Sequence, residues 1–400
     1  MSAARDGELE KTMPRGPSQR SAVSPFIVMD VMTAAAAREA AGHRVIHMEV
    51  GQPGTPAPAS ALAAVQRAMA SETLGYTLAL GAAPLRQRIA RYYKDQHNLD
   101  IAPERIAVTN GSSAAFVLSF MALFDAGDRV ALPSPGYPCY RQILTALGQR
   151  PVFLETDAPG RWMPTAKQLE EACDRENLAG VLTASPANPT GTMIEPQRLA
   201  ELTDVCRRRG MWFISDEIYH GLTYGGPPAE TALRYDDNAI VINSFSKYFS
   251  MTGWRVGWMV VPEGLVRTVE RLAQHLYISP PAVAQVAALA AFDGTEELEA
   301  NKAVYAANRE LLLVEFAKAG FDKIAPPDGG FYLYVDVSKF TDDSLAFTKQ
   351  MLDEIGIAAT PGADFDDENG RHFLRFCYAG TTVDMEEAAR RLNAWPRLKR

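Results

Sequence analysis

The chain has 400 residues, with 40 Lys plus Arg against 48 Asp plus Glu, a formal charge of −8, 22% charged and 47% hydrophobic residues. This is the balance of an ordinary globular enzyme subunit and argues against nucleic acid as a partner. Its 29 Gly and 26 Pro follow no repeat period, which argues against collagen-like, solenoid and low-complexity classes.

Residues 1–20 are expected to form a flexible polar arm. Asp6, Glu8 and Glu10 sit among its basic residues without an apolar run, so no secretory or transit signal is readable there. A helix is expected over Phe26–Ala41, ended by Gly42, followed by a short strand over Val45–Met48. From Pro58 helices and strands alternate. Helices are expected over Pro58–Ala70, Pro84–Gln96, Ser113–Phe124, Tyr137–Leu147, Thr165–Arg175 and Pro196–Arg209. The strands between them are Ile106–Thr109, Arg129–Leu132, Val152–Leu154, Gly180–Thr183 and Met211–Ser215, with Ile240–Asn243 and Val256–Val261 after them. These strands are continuous apolar runs, the signature of strands buried on both faces, so an α/β domain with a mostly parallel sheet flanked by helices is expected. His275–Phe292 contains Pro280, Pro281 and Gln285 and fails as a membrane span; it reads as a loop plus a buried helix.

Beyond Phe292 come a long charged helix (Glu296–Ala319), Phe331–Val337, a helix over Ser344–Ile355, a strand over His372–Cys377 and a helix over Val383–Trp395. They read as a second, smaller α+β unit. The division is therefore a large domain over 51–292 and a small domain over 293–400, with 21–50 expected to join the small one. Cys139, Cys173, Cys206 and Cys377 show no paired metal or redox spacing, so free thiols in a cytoplasmic, reducing setting are expected. The six histidines form no metal motif, and no G-x-G-x-x-G follows a strand.

The most informative segment is Ser244-Phe245-Ser246-Lys247, with Arg255 eight residues after the lysine. The lysine directly follows a buried strand, where open α/β sheets place their ligands. Two hydroxyls and a guanidinium around it suit a dianionic phosphate. A lysine able to form a Schiff base beside a phosphate cradle suggests pyridoxal phosphate.

On these residues the chain resembles the class I and II aminotransferases of the fold type I pyridoxal phosphate family, from about Ser24 to the carboxyl end. The resemblance implies that Lys247 forms the Schiff base with the cofactor, and that Ser244, Ser246 and Arg255 contact its phosphate. Asp216, in Ser215-Asp216-Glu217-Ile218-Tyr219, reads by itself as a helix N-cap. The resemblance makes it the carboxylate that keeps the pyridine nitrogen protonated, and makes Tyr219 and Asn188 the partners of the ring oxygen. Gly111, Ser112 and Ser113 open an apolar helix after a strand, a place where free amides bind phosphate. Tyr137, otherwise core packing, matches the aromatic that stacks on the pyridine face.

Arg375 lies in the apolar run Phe373-Leu374-Arg375-Phe376, where an uncompensated cation is costly. Its partner is either a structural Asp or Glu or, as the resemblance implies, the substrate α-carboxylate. Gly51 matches a glycine that helps hold that carboxylate, although an isolated glycine also suits a turn. Tyr76, before Gly81, resembles the tyrosine that reaches the phosphate of a neighbouring subunit, which implies a homodimer.

The implied activity is a ping-pong aminotransferase acting on an L-amino acid and a 2-oxo acid. A C–S β-lyase on the same scaffold and a cofactor-binding regulatory module are the alternatives. Neutral or aromatic amino acids are favoured over dicarboxylic ones, because Ser113 stands where some relatives carry a lysine and no arginine lies between Leu272 and Asn308.

Overall fold

The computed structural model describes residues 16–399. Residues 1–15 of the expected arm lie outside it, and Gln19–Ser21 form a short 3-10 turn. The first helix, α1, spans Ile27–Ala40, and β1 is Ile46–His47. Then follow α2 (Ala59–Ser71), α3 (Ala83–His97), β2 (Ile106–Thr109), α4 (Gly111–Leu123), β3 (Arg129–Ser134), α5 (Pro138–Leu147) and β4 (Arg150–Glu155). Next are α6 (Ala166–Glu176), β5 (Gly180–Ala184), α7 (Pro196–Arg209), β6 (Trp212–Asp216), β7 (Ile240–Ser244) and β8 (Gly257–Val260). The chain continues with α8 (Glu263–Leu276), α9 (Ala282–Ala291) and α10 (Thr295–Lys318). The last elements are β9 (Tyr332–Asp336), α11 (Ser344–Ile355), β10 (Ile357–Ala358), β11 (Thr360–Pro361), β12 (Phe373–Cys377) and α12 (Thr382–Ala394).

The seven-stranded sheet runs β2-β8-β7-β6-β5-β3-β4. Its ladders are parallel except around β8, which is antiparallel to both β7 and β2. The reason is local. A parallel return needs a crossover of a dozen or more residues, usually a helix. Residues 245–256 carry only the 3-10 turn Thr252–Trp254, so the chain doubles back and Ser244 pairs with Gly257. That reversal places Lys247 and Arg255 in one tight connection.

Every residue of β2, β7 and β8 is buried, as expected for strands covered on both faces. One face packs Val108, Val181, Phe213, Val241 and Trp258; the other packs Leu132, Leu182, Ile214 and Ile242. A separate core built on Leu333, Val335, Leu374 and Phe376 supports the three-stranded antiparallel sheet β11-β12-β9.

Helix α1 begins at Ile27 without a capping side chain of its own. Asp364 supplies the cap instead, its two oxygens accepting from the Ile27 amide at 3.1 Å and the Val28 amide at 3.3 Å. Behind it, Ala35 and Val45 pack on Leu352 and Ala358, and β1 pairs in parallel with β10. Helix α4 starts two residues earlier than the apolar pattern suggests, at Gly111. The glycine adopts φ +75°, which lets the chain turn from β2 straight into the helix.

Candidate active site

A cavity of about 240 Å³ lies at the carboxyl ends of β5, β6 and β7, bounded also by residues of β9, β12 and α1. The ends of open α/β strands carry free backbone amides and loop side chains, which is why sites form there. Lys247 reaches into the cavity from the β7–β8 reversal, and its ammonium donates to the Gly51 carbonyl. The Tyr219 and Phe331 rings stand 6.0 Å and 5.9 Å from Nζ. Burial lowers the lysine pKa to about 8, with nearby Arg375 and Arg255 adding to the effect. Lys247 has no ion-pair partner among the described residues, so its neutral form is more accessible than that of an ordinary lysine.

Asp216 closes β6. Its Oδ1 accepts from the Ile218 amide at 3.0 Å and its Oδ2 from the Tyr140 hydroxyl. Burial raises this carboxyl to about 6, while the two hydrogen bonds and Lys247 oppose the rise. A carboxylate balanced this way ionises fully once a cationic donor meets it.

Arg375 projects from β12 between the rings of Tyr332, 4.4 Å away, and Phe365, 4.8 Å away. Nη1 donates to Asn188 Oδ1 at 2.8 Å, and Nη2 to Thr360 Oγ1 at 3.1 Å and to the Glu49 carbonyl. Nε is buried with no partner. No carboxylate lies within ion-pair distance of Arg375 among the described residues, so the structural-acid alternative has no occupant. Every partner of this buried cation is neutral, which leaves it open to an anion. Tyr219 and Tyr332 share a hydrogen bond of 2.7 Å between their hydroxyls.

Arg255 sits in the left-handed region, φ +52°, with Nη1 donating to the Thr252 carbonyl at 3.0 Å. Its guanidinium lies against Gly111, where an added Cβ would fall 2.4 Å from Nη2. Ser112, Ser113 and Ser246 line the same end of the cavity. Ser244 does not line it. Its hydroxyl lies 2.9 Å from Ser246 Oγ and 3.1 Å from the Val256 carbonyl, so it props Ser246. Tyr137 lines the cavity and meets Tyr140 edge to face at 5.2 Å. Tyr76, 84% exposed, lies outside this chain's cavity.

Several contributors escape a reading of the sequence. Tyr140 lies in the first turn of α5, three residues after its N-cap Tyr137, and that spacing is the one signal that brings both to the same end of the helix. Tyr332, Thr360 and Glu49 hold Arg375 or Tyr219 from distant segments, and no local pattern marks them. Phe26, Val28, Met29 and Met32 form an apolar wall on one side of the cavity, brought there when Asp364 caps α1. Among the described residues no helix is long and apolar enough to cross a membrane, and no cluster of His, Cys, Asp or Glu is arranged to hold a metal.

A lysine, an aspartate and an arginine converging at the strand ends of a mixed α/β sheet define an enzyme site of the amino-group-transfer class. The family model for aminotransferase class I and II matches residues 43–392. The chain belongs to this family, whose members depend on pyridoxal phosphate and act on amino acids and 2-oxo acids, and it is an aminotransferase. A valine-pyruvate aminotransferase of Mycobacterium tuberculosis is 47% identical over 379 residues, covering 94% of this chain and 97% of its own. The crystal structure of a putative aminotransferase from Silicibacter pomeroyi is 53% identical, covers 96% of this chain and 100% of its own, and superposes with a TM-score of 0.90. That of an aminotransferase from Mycobacterium tuberculosis is 47% identical, covers 95% and 99%, and gives a TM-score of 0.93.

Proposed function

We propose that this aminotransferase moves the amino group of a neutral aliphatic L-amino acid, valine among them, to a small 2-oxo acid such as pyruvate. The observation that carries the reading is the composition of the cavity wall. Phe26, Val28, Met29, Met32, Val50 and Ile218 offer hydrocarbon to a substrate side chain. The cations lining the cavity are Lys247, Arg255 and Arg375. Each has a task already in this scheme, so a distal carboxylate finds no partner and its burial costs several kcal/mol. The 47% identical relative, a valine-pyruvate aminotransferase, supports the same choice.

The donor set fits pyridoxal phosphate. Gly111 leaves beside Arg255 a space that a Cβ would fill, suited to a phosphate held by the guanidinium, Ser112, Ser113, Ser246 and the free amides opening α4. Asp216 would hold the ring nitrogen, Tyr219 and Asn188 the ring oxygen, and Tyr137 a ring face. When bound, the cofactor supplies a carbonyl that reacts with amines and an electron-withdrawing ring. Asp216, fixed by Tyr140 and the Ile218 amide, keeps a proton on the ring nitrogen. Arg375 grips the α-carboxylate through two charged hydrogen bonds, each contributing about 1.5–3 kcal/mol, with Asn188 and the Gly51 backbone beside it. That grip would set which bond at Cα faces Lys247, whose neutral Nζ would take the α-proton and pass it to the cofactor's carbonyl carbon, two atoms away across the nitrogen.

Exposed Tyr76 and Leu78 support a homodimer in which Tyr76 reaches the partner's phosphate site. The four free cysteines support a cytoplasmic setting.

The deciding experiment compares kcat/KM for valine and aspartate with pyruvate as acceptor. Valine is expected to lead by at least about a hundredfold, the equivalent of about 2.7 kcal/mol. Equal or better turnover of aspartate sinks the substrate assignment. Lys247→Ala is expected to bind the cofactor and lose proton transfer; near-normal turnover in that variant sinks the catalytic one. Light scattering that returns a monomer at working concentration rejects the dimer.

A further inference from the structure

Consecutive residues Tyr219 and His220 face different spaces. Tyr219 lines the active-site cavity, and His220 lines a second cavity of about 280 Å³ on the other side of the turn that follows Asp216. The rings of Tyr92, Tyr248, Phe249 and Phe292 form much of its wall. The aminotransferase scheme uses none of them.

The polar groups of this cavity are short of partners. His220 is 4% exposed, with Nδ1 3.5 Å from Glu217 Oε2 and no hydrogen-bond partner for Nε2; His97 is 7% exposed, with Nδ1 3.7 Å from Glu230 Oε1 and no partner for Nε2. Arg88 Nη1 is buried and unpartnered as well. The Arg88 guanidinium lies over the Phe292 ring, 4.1 Å from its centroid, and makes no hydrogen bond or ion pair among the described residues. The cavity's other charges are settled between themselves: Glu299 accepts from the Tyr248 hydroxyl at 2.6 Å and pairs with Lys302 at 3.5 Å.

Burial keeps both imidazoles neutral, and with each Nδ1 facing a carboxylate it is Nε2 that each leaves open to a ligand. Buried polar groups in folded proteins are almost always satisfied. Water answers the imidazoles but brings no counter-charge to Arg88, whose π-stacked face leaves its in-plane N–H groups free for an oxyanion. The complement of one free cation, two neutral imidazoles and an aromatic wall is a planar anion with a polar far end.

We propose that this cavity is a second ligand site, separate from the active site, for a small aromatic carboxylate carrying a hydroxyl on its ring. The carboxylate meets Arg88, the ring packs among Tyr92, Phe249 and Phe292, and the hydroxyl reaches His97 or His220.

The test is calorimetric titration of 4-hydroxybenzoate into the pyridoxal phosphate-loaded enzyme. Because Arg375 also attracts carboxylates, binding is compared in wild type, Arg88→Gln and Arg375→Ala, with 4-hydroxybenzamide as the uncharged probe. Expected are one binding event in wild type that persists in Arg375→Ala, at least tenfold weaker binding in Arg88→Gln, and no binding of the benzamide. Arg88→Gln should keep wild-type amino-acid turnover, which confirms that it folds. Ala229→Leu, which fills the same cavity from its wall, should also weaken binding. Absence of binding in wild type, loss in Arg375→Ala alone, or unchanged affinity in Arg88→Gln overturns the proposal and leaves the cavity to water.

Discussion

Tyr140 donates its phenolic hydrogen bond to Oδ2 of Asp216, and both groups are buried. The bond joins the first turn of α5 to the end of β6, and it partly offsets the cost of burying a carboxylate under the site.

Replacing Tyr140 with Phe removes that donor and nothing else of size. The Asp216 carboxyl then rises further and holds a ring proton less firmly. A lost hydrogen bond to a charged group is worth about 1.5–3 kcal/mol, so kcat/KM is expected to fall about tenfold to a hundredfold. Single-turnover kinetics with valine measures it, and wild-type rates in Tyr140→Phe reject the role.

Arg375→Lys keeps the charge but loses the planar pair of donors that Asn188, Thr360 and Glu49 now orient. We expect KM for the amino acid to rise at least about tenfold while cofactor affinity stays at the wild-type level. A change in cofactor affinity with KM intact places the arginine elsewhere in the reaction.

Gly111→Ala tests the phosphate end. The residue has φ +75°, and its new Cβ would fall 2.4 Å from Arg255 Nη2. Strain of about 1 kcal/mol or more and displacement of the guanidinium should weaken cofactor binding well beyond any loss of stability. Equilibrium dialysis against pyridoxal phosphate and a thermal melt separate the two, and unchanged cofactor affinity rules the cradle out.

A pH-dependent stability follows from Glu217. Its Oε1 accepts from Ser215 Oγ, Thr231 Oγ1 and the Ala232 amide, each at 3.0 Å, while Oε2 makes no hydrogen bond and faces His220 Nδ1 at 3.5 Å. Burial raises its pKa from 4.5 to about 8. Between those values the folded chain keeps a proton that the unfolded chain releases, so this group's stabilisation is full below pH 4.5 and declines as pH rises through 8. His220, lowered to about 3 by burial, acts in the opposite sense below 6.5, and His47, raised to about 9 by Glu49 and Glu39, acts in the same sense above it, so the difference from Glu217→Gln over pH 6.5–8, which leaves His47 in place, isolates Glu217. There wild type should lose stability relative to Glu217→Gln by up to about 1.4 kcal/mol per pH unit. Parallel urea-unfolding profiles for the two proteins would show that Glu217 is ionised in the native state.

How much of this was legible in the sequence depends on how local each signal is. The Ser244-Phe245-Ser246-Lys247 run, Arg255 and the Asp216-to-Tyr219 run each sit beside an apolar strand, and such strands are short-range patterns. Helix ends were less legible. Helix α1 draws its cap from Asp364, far along the chain, and α4 begins at a glycine whose conformation carries no hydrophobic period. Ser244 shows the limit of motif spacing: it belongs to the right run, but its hydroxyl turns to Val256 and Ser246 rather than to the cavity.

Sequence alone therefore determined the alternation of helices and buried strands, the lysine at a strand end and the arginine stranded in an apolar run, because periodicity, loop chemistry and the cost of burying charge act over a few residues. Tertiary structure decided which side chains answer those groups. Tyr140 beneath Asp216, Thr360 and the Glu49 carbonyl on Arg375, the apolar wall from α1 and the unpaired Arg88 beside His97 and His220 all arise where distant segments are packed together. Such contacts depend on the close packing of the whole chain, and no window of neighbouring residues contains them.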